Sequence, residues 1–261
     1  MCLILLAWKS YSGYPAVLAA NRDEFFARPT AAADFWVGAP DLLAGRDISA
    51  GGSWMGVTTH GRFAAITNFR EPGKNRPEAS SRGKLVSDFL AGSMAAPDYL
   101  EALSEGAGGY NGFNLICGNL TDELWFLSNR TEQRKSHRLA AGIYGLSNHL
   151  LDTPWPKVAQ GKSNLANALT ALPQDKPLFE LLRDAYIHDD DRLPRTGLTL
   201  EWERILSAAF VVTPEYGTRS STVLCLDKRR FLTFDEQTWL SGARPGERRR
   251  FRLRLAGSAP S

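Results

Sequence analysis

The stretch CLILLAWKSYSGYPAVLAANRDE, residues 2–24, decides how the rest of the chain is read. Residues 2–8 form an apolar run, and residues 15–20 form a second one of the same character. Between them lies Ser10-Tyr11-Ser12-Gly13, turn-forming chemistry that suits an antiparallel hairpin. The second run empties into Asn21-Arg22-Asp23-Glu24. Four such residues are too polar to continue a buried strand, so the tetrad is expected at the sheet's end, close to the start of the chain. Strand alternation puts Asn21 and Asp23 on one face, and Arg22 and Glu24 on the other.

Outward from this hairpin the pattern stays strand-rich. Residues 42–44, 54–59 and 62–68 read as strands, the last two joined by His60-Gly61. Residues 80–93 carry a helical stripe of Leu85, Val86, Phe89 and Leu90 with a serine to cap it, and residues 98–105 suit a second helix behind Pro97. After the glycine-rich residues 106–112, a hairpin is expected over 113–118 and 123–128. Helical spacing returns at 163–172, 177–187 and 200–207, then strands at 209–213, 222–227 and 231–235. Strands, helices, strands, helices, strands, without βαβ alternation, give an α+β chain with mainly antiparallel sheets. The 261 residues are read as one domain.

Composition is ordinary for a globular protein, with 43% hydrophobic and 23% charged residues. The net charge of +3 is too small to argue for nucleic-acid or membrane partners. Arg250, Arg252 and Arg254 alternate with Phe251, Leu253 and Leu255, the pattern of an amphipathic edge strand protected by charge. Cys2, Cys117 and Cys225 are scattered, so neither a disulfide framework nor a structural zinc site is expected, and a reducing, cytoplasmic setting is the default. No metal site is expected from His188-Asp189-Asp190-Asp191, which reads as a solvated loop. No run approaches the roughly 20 apolar residues that span a bilayer, so no transmembrane segment is expected.

The candidate chemistry starts at Cys2. Removal of Met1 would leave a cysteine carrying its own α-amine, whose pKa of about 7.7–8.0 lets it serve as a base near neutrality. Asn68 and Asn148 each end an apolar run, where a carboxamide can donate to a developing oxyanion. Arg219 precedes the strand of Cys225 and could neutralise a substrate carboxylate. Gly51-Gly52-Ser53-Trp54-Met55-Gly56 lacks GxGxxG spacing and a following helix, so it reads as a close backbone approach beside a site.

Together these pieces resemble the NRDE family, named for the tetrad. Similar blocks are Gly51-Gly52-Ser53-Trp54-Met55-Gly56, Ile66-Thr67-Asn68-Phe69-Arg70, Tyr110-Asn111-Gly112-Phe113-Asn114-Leu115, Gly145-Leu146-Ser147-Asn148 and Thr218-Arg219-Ser220-Ser221-Thr222-Val223. The family is in turn similar to N-terminal-nucleophile hydrolases of the penicillin V acylase and bile-salt hydrolase type. That resemblance implies a four-layer αββα sandwich, with Cys2 as nucleophile and base and Asp23 holding the α-amine. It also implies Asn68 and Asn148 at the substrate and oxyanion, with Arg22 and Arg219 lining the site. In those acylases the arginine precedes the aspartate by three residues, whereas Arg22 and Asp23 are adjacent. The family's reported roles in haem trafficking and in lipid or acyl-CoA metabolism imply a second reading. In it the same cleft carries haem or another amphipathic ligand, with His149 the preferred haem contact. The hydrolase reading requires no cofactor.

Overall fold

Strands that are apolar on both faces need a covering layer on each side. The computed structural model describes residues 3–256. Its strands begin with β1 (Leu3–Tyr11), β2 (Tyr14–Phe25), β3 (Thr30–Trp36), β4 (Ala39–Asp47), β5 (Met55–Thr58) and β6 (Arg62–Asn68). They continue with β7 (Phe113–Asn119), β8 (Leu124–Ser128), β9 (His137–Arg138), β10 (Gly142–Leu146), β11 (Tyr216–Leu226), β12 (Phe231–Leu240) and β13 (Arg244–Arg254). The helices are α1 (Arg82–Ala91), α2 (Ala96–Gly106), α3 (Pro156–Leu169), α4 (Lys176–Leu182) and α5 (Leu200–Ile205).

Two antiparallel sheets result, one in the order β10-β1-β2-β11-β12-β13 and the other β3-β4-β5-β6-β7-β8-β9. Ile4, Leu6, Trp8, Leu18 and Ala20 of the first sheet meet Leu43, Val57, Phe63 and Ile116 of the second. Their alternating neighbours Leu3, Leu5, Val17 and Ala19 pack under Val158 and Leu165 of α3 and Leu178 and Leu182 of α4. On the far side, Leu42, Ala64 and Leu115 pack against Leu85 and Phe89 of α1 and Leu100 of α2. The order is helices, sheet, sheet, helices: the αββα sandwich that the family resemblance implies.

Four expectations need correction. The Asn21–Glu24 tetrad does not end its strand: it lies inside β2, where β11 pairs with all four residues and Leu3 of β1 lies opposite Asn21. The polar groups are tolerated because each has a partner, as shown below. Residues 209–213 form no strand: Ala209, Phe210 and Val211 are buried while Val212 is exposed, a single bridge joins Val212 to Gly217, and the Phe210 and Val211 amides donate to Asp184 O and Thr218 Oγ1. β3 has no counterpart in the expected strands, its burial alternating only weakly. α3 starts seven residues earlier than expected, because Pro156 is acceptable in the first helical turn, where no amide donor is needed.

Candidate functional site

The two faces of the tetrad do different work. On the helix-facing side, Asn21 is fully buried; its Nδ2 donates to the carbonyls of Leu182 and Ala209, both at 2.7 Å. Its Oδ1 accepts from Ser221 Oγ at 2.6 Å. Asp23 Oδ1 accepts from Thr218 Oγ1 at 2.7 Å, and the same hydroxyl oxygen accepts from the Val211 amide. These bonds tie β2 to β11 and to the segment behind it.

On the inter-sheet side, Arg22 and Glu24 open into a cleft of about 520 Å³. The Arg22 guanidinium lies 4.4 Å from the centre of the Trp54 ring, a cation–π contact in a largely desolvated place, and 3.6 Å from Glu24. Trp54 is held from below by Gly45: a Cβ there would stand 2.3 Å from two atoms of the indole. The loop before Trp54 reaches α1 by a comparable approach, since a Cβ on Gly52 would stand 2.3 Å from the Gly83 carbonyl carbon. Ser53 N donates to Gly83 O at 3.1 Å across that contact. The Gly51–Gly56 block is therefore the close backbone approach its glycines suggest.

Arginine dominates the cleft. Arg22, Arg28, Arg76 and Arg82 line it, against the two carboxylates Glu24 and Asp47. Arg28 is bound by Asp47 at 2.8 Å and lies 3.8 Å from Glu24, and its bond to Asp47 raises its pKa. Arg76 donates to the carbonyls of Gly108 and Tyr110, and Arg82 to that of Gly112. Burial lowers the pKa of Arg22 and of Arg82 from the usual guanidinium value. Arg82 also occupies the first turn of α1, where the helix dipole disfavours a cation and no acidic residue offsets it. The cleft thus concentrates positive charge beyond what its own carboxylates balance.

The expected site residues distribute as follows. Cys2 lies outside the described residues. Arg22 and Asn68 share the cleft. Asn148 is buried and does not itself line the cleft, but it is tied to Asn68: its Nδ2 donates to Asn68 O at 3.0 Å, and its own carbonyl accepts from Arg70 N at 2.7 Å. Asp23 projects from the opposite face of β2. Arg219 occupies the bulge between Thr218 and Ser220 and donates to the carbonyls of Phe25, Phe26 and Arg28, clamping the turn after the tetrad. It lines a smaller neighbouring cavity instead of the cleft. His149 is packed between Phe69 and Trp155, bonded through Nδ1 to Thr153 Oγ1 at 2.8 Å, and does not line the cleft.

Sequence reasoning missed Trp54 as the platform under Arg22, and Arg82. The first was signalled by a tryptophan inside a glycine block, the second by an arginine at a helix start. It also missed Glu236, a buried carboxyl of the smaller cavity, where it accepts from the Ala33 amide at 2.7 Å.

The family model described as Transport and Golgi organisation 2 matches residues 1–241. The Transport and Golgi organization protein 2 homolog of Bos taurus is 40% identical over 261 residues, covering 92% of this chain and 94% of that one. The homolog of Homo sapiens is 35% identical with the same coverage. Among solved structures, an N-acylethanolamine-hydrolyzing acid amidase ortholog from Caenorhabditis elegans superposes with a TM-score of 0.53 at 12% identity. That likeness covers 85% of this chain and 92% of the other, and it shows a shared fold.

Proposed function

The chain belongs to the Transport and Golgi organisation 2 family, and from that footing we propose that the arginine-lined cleft is the active site of a cysteine N-terminal-nucleophile amidase. Its substrate would be a small molecule with a non-peptide C–N bond. One observation carries the reading: Leu3 pairs with Asn21, while the next residue, Arg22, shares a cleft with Asn68. The solved amidase of the same fold hydrolyses N-acylethanolamines, which suggests an acyl amide as the substrate class.

In this reading the Cys2 sulfur attacks the substrate carbonyl carbon and its proton passes to the α-amine. Asp23, fixed by Thr218, is assigned to hold that amine. The oxyanion is met by the Asn68 and Asn148 carboxamides, and the Arg22 guanidinium adds positive charge close by. Arg219 acts on the site by fixing the turn after the tetrad. Collapse breaks the C–N bond, and the leaving amine departs with the proton from the α-ammonium. A thioester remains, and water cleaves it to the free acid and the thiol.

The test is amine release from a panel of N-acylethanolamines by the purified full chain. Turnover that is lost in Cys2→Ala and falls about 100-fold or more in Arg22→Gln supports the proposal. Turnover that survives Cys2→Ala contradicts it.

The excess of guanidinium groups favours a second reading, in which the cleft carries an anionic amphiphile without cleaving it. Haem would then be held through its carboxylates, since His149 does not face the cleft, and an acyl-CoA through its phosphates. Saturable binding of either, unchanged in Cys2→Ala but weakened in Arg82→Gln, together with no amine release, would favour the carrier.

A further inference from the structure

β13 lies outside residues 1–241 that match the family, and it closes one edge of the first sheet. Six of its eleven residues are arginines. Phe251 and Leu253 turn inward against the inter-sheet core, so Arg248, Arg250, Arg252 and Arg254 form a ladder on the outer face with a spacing of about 6.8 Å. Its first half is neutralised internally. Arg248 makes two 2.9 Å bonds to the buried Asp235, and Arg250 lies 3.0 Å from Asp175. The second half is not: Arg252 and Arg254 are exposed, have no ion pair among the described residues, and lie beside the Phe231 ring, 4.8 and 6.0 Å from its centre. Exposed Lys228 and Arg229 of the β11–β12 turn add to the same corner. Among the described residues no strand pairs with the outer edge of β13.

We propose that this edge is a docking site for an extended acidic segment of a partner protein, which adds as a further strand. Acidic side chains on alternate residues of such a segment share the two-residue period of Arg252 and Arg254, while its backbone pairs with the open edge. A second copy of the chain does not suit the edge, because pairing β13 with itself sets guanidinium groups against one another. Nucleic acid suits it less, because Phe231, the aromatic ring of this corner, is already engaged by Arg252 at 4.8 Å from its centre. Charge can also serve simply to keep an edge strand from pairing, and the experiment must separate that role from docking.

The probe is a fluorescent ten-residue peptide alternating glutamate and valine, titrated by anisotropy against the full chain. A matched peptide carries N-methyl groups on alternate amides, which keeps the charge and removes backbone pairing. The expected result is saturable binding that weakens with salt, and falls about tenfold or more both for the N-methylated peptide and in the double variant Arg252→Glu/Arg254→Glu. Both positions are exposed, so the variant should fold, and its melting curve is recorded alongside. Three results would overturn the proposal: no saturable binding, equal affinity for the N-methylated peptide, or tighter binding of a duplex oligonucleotide or anionic vesicles at the same edge.

Discussion

The two faces of β2 across Asn21-Arg22-Asp23-Glu24 are built on opposite principles. Toward the helices, Asn21 and Asp23 are buried and engaged at short range by Leu182, Ala209, Ser221 and Thr218. Toward the second sheet, Arg22 and Glu24 pair at 3.6 Å and face an open cleft with two further arginines that donate to backbone carbonyls and, among the described residues, form no ion pair. Saturated buried polar groups hold a fold together, whereas loosely paired charges in a cleft are available to a ligand. One face of the tetrad is therefore closed by fixed partners, with Asp23 assigned in the amidase reading to the α-amine, and the other is open to a ligand.

The sharpest way to break this comparison is Asn21→Ala, which strands two carbonyls and a hydroxyl in the interior. A loss of about 3 kcal/mol or more in urea unfolding is expected. A cost no larger than that of Arg22→Ala would erase the distinction between the faces. Gly45→Ala comes next: the added methyl displaces the Trp54 indole from under Arg22, at about 1–3 kcal/mol, with a change in Trp54 fluorescence. A larger aliphatic residue at 45 should cost more.

A third test uses pH. Burial, the largest influence, raises the Glu236 carboxyl above its ordinary value. Between its unfolded and folded values the native chain holds the proton more tightly than the unfolded chain does, so stability falls as pH rises through that window. Glu236→Gln removes this slope. Its melting temperature relative to the parent should therefore be higher at about pH 7 than at about pH 4, and a constant difference would contradict the assignment. The smallest stability effect belongs to Arg82→Gln. Removing a cation from the first turn of α1 should change stability by less than about 1 kcal/mol, while weakening any anionic ligand of the cleft.

Much of this was legible in the sequence. The apolar runs of residues 2–20 announced the central hairpin because both faces of those strands are buried. The helical stripe at Leu85, Val86, Phe89 and Leu90 is the stripe that covers the second sheet. The alternation of the tetrad was readable too, but its position inside a strand was not. Sequence shows that Asn21 is polar; it does not show that Leu182, Ala209 and Ser221 arrive from far along the chain to receive it. Arg82 and Trp54 escaped for the same reason, since the cleft forms where the N-terminus of α1 meets the loop between β4 and β5. Arg219 was read as a site residue, yet the bulge in β11 turns it to the backbone of residues 25–28.

The amidase reading of the cleft depends on the thiol of Cys2, and the other two thiols of the chain offer a clear contrast. Cys117 and Cys225 are buried, and burial pushes both thiols up, Cys225 to about 12. The decisive measurement is the intact mass of the native protein before and after brief alkylation with iodoacetamide at neutral pH. The expected result is a chain lacking Met1 that gains one adduct rapidly, and gains none on that timescale in Cys2→Ala. A retained Met1, or a native chain that stays unlabelled until it is unfolded, would contradict the N-terminal-nucleophile reading.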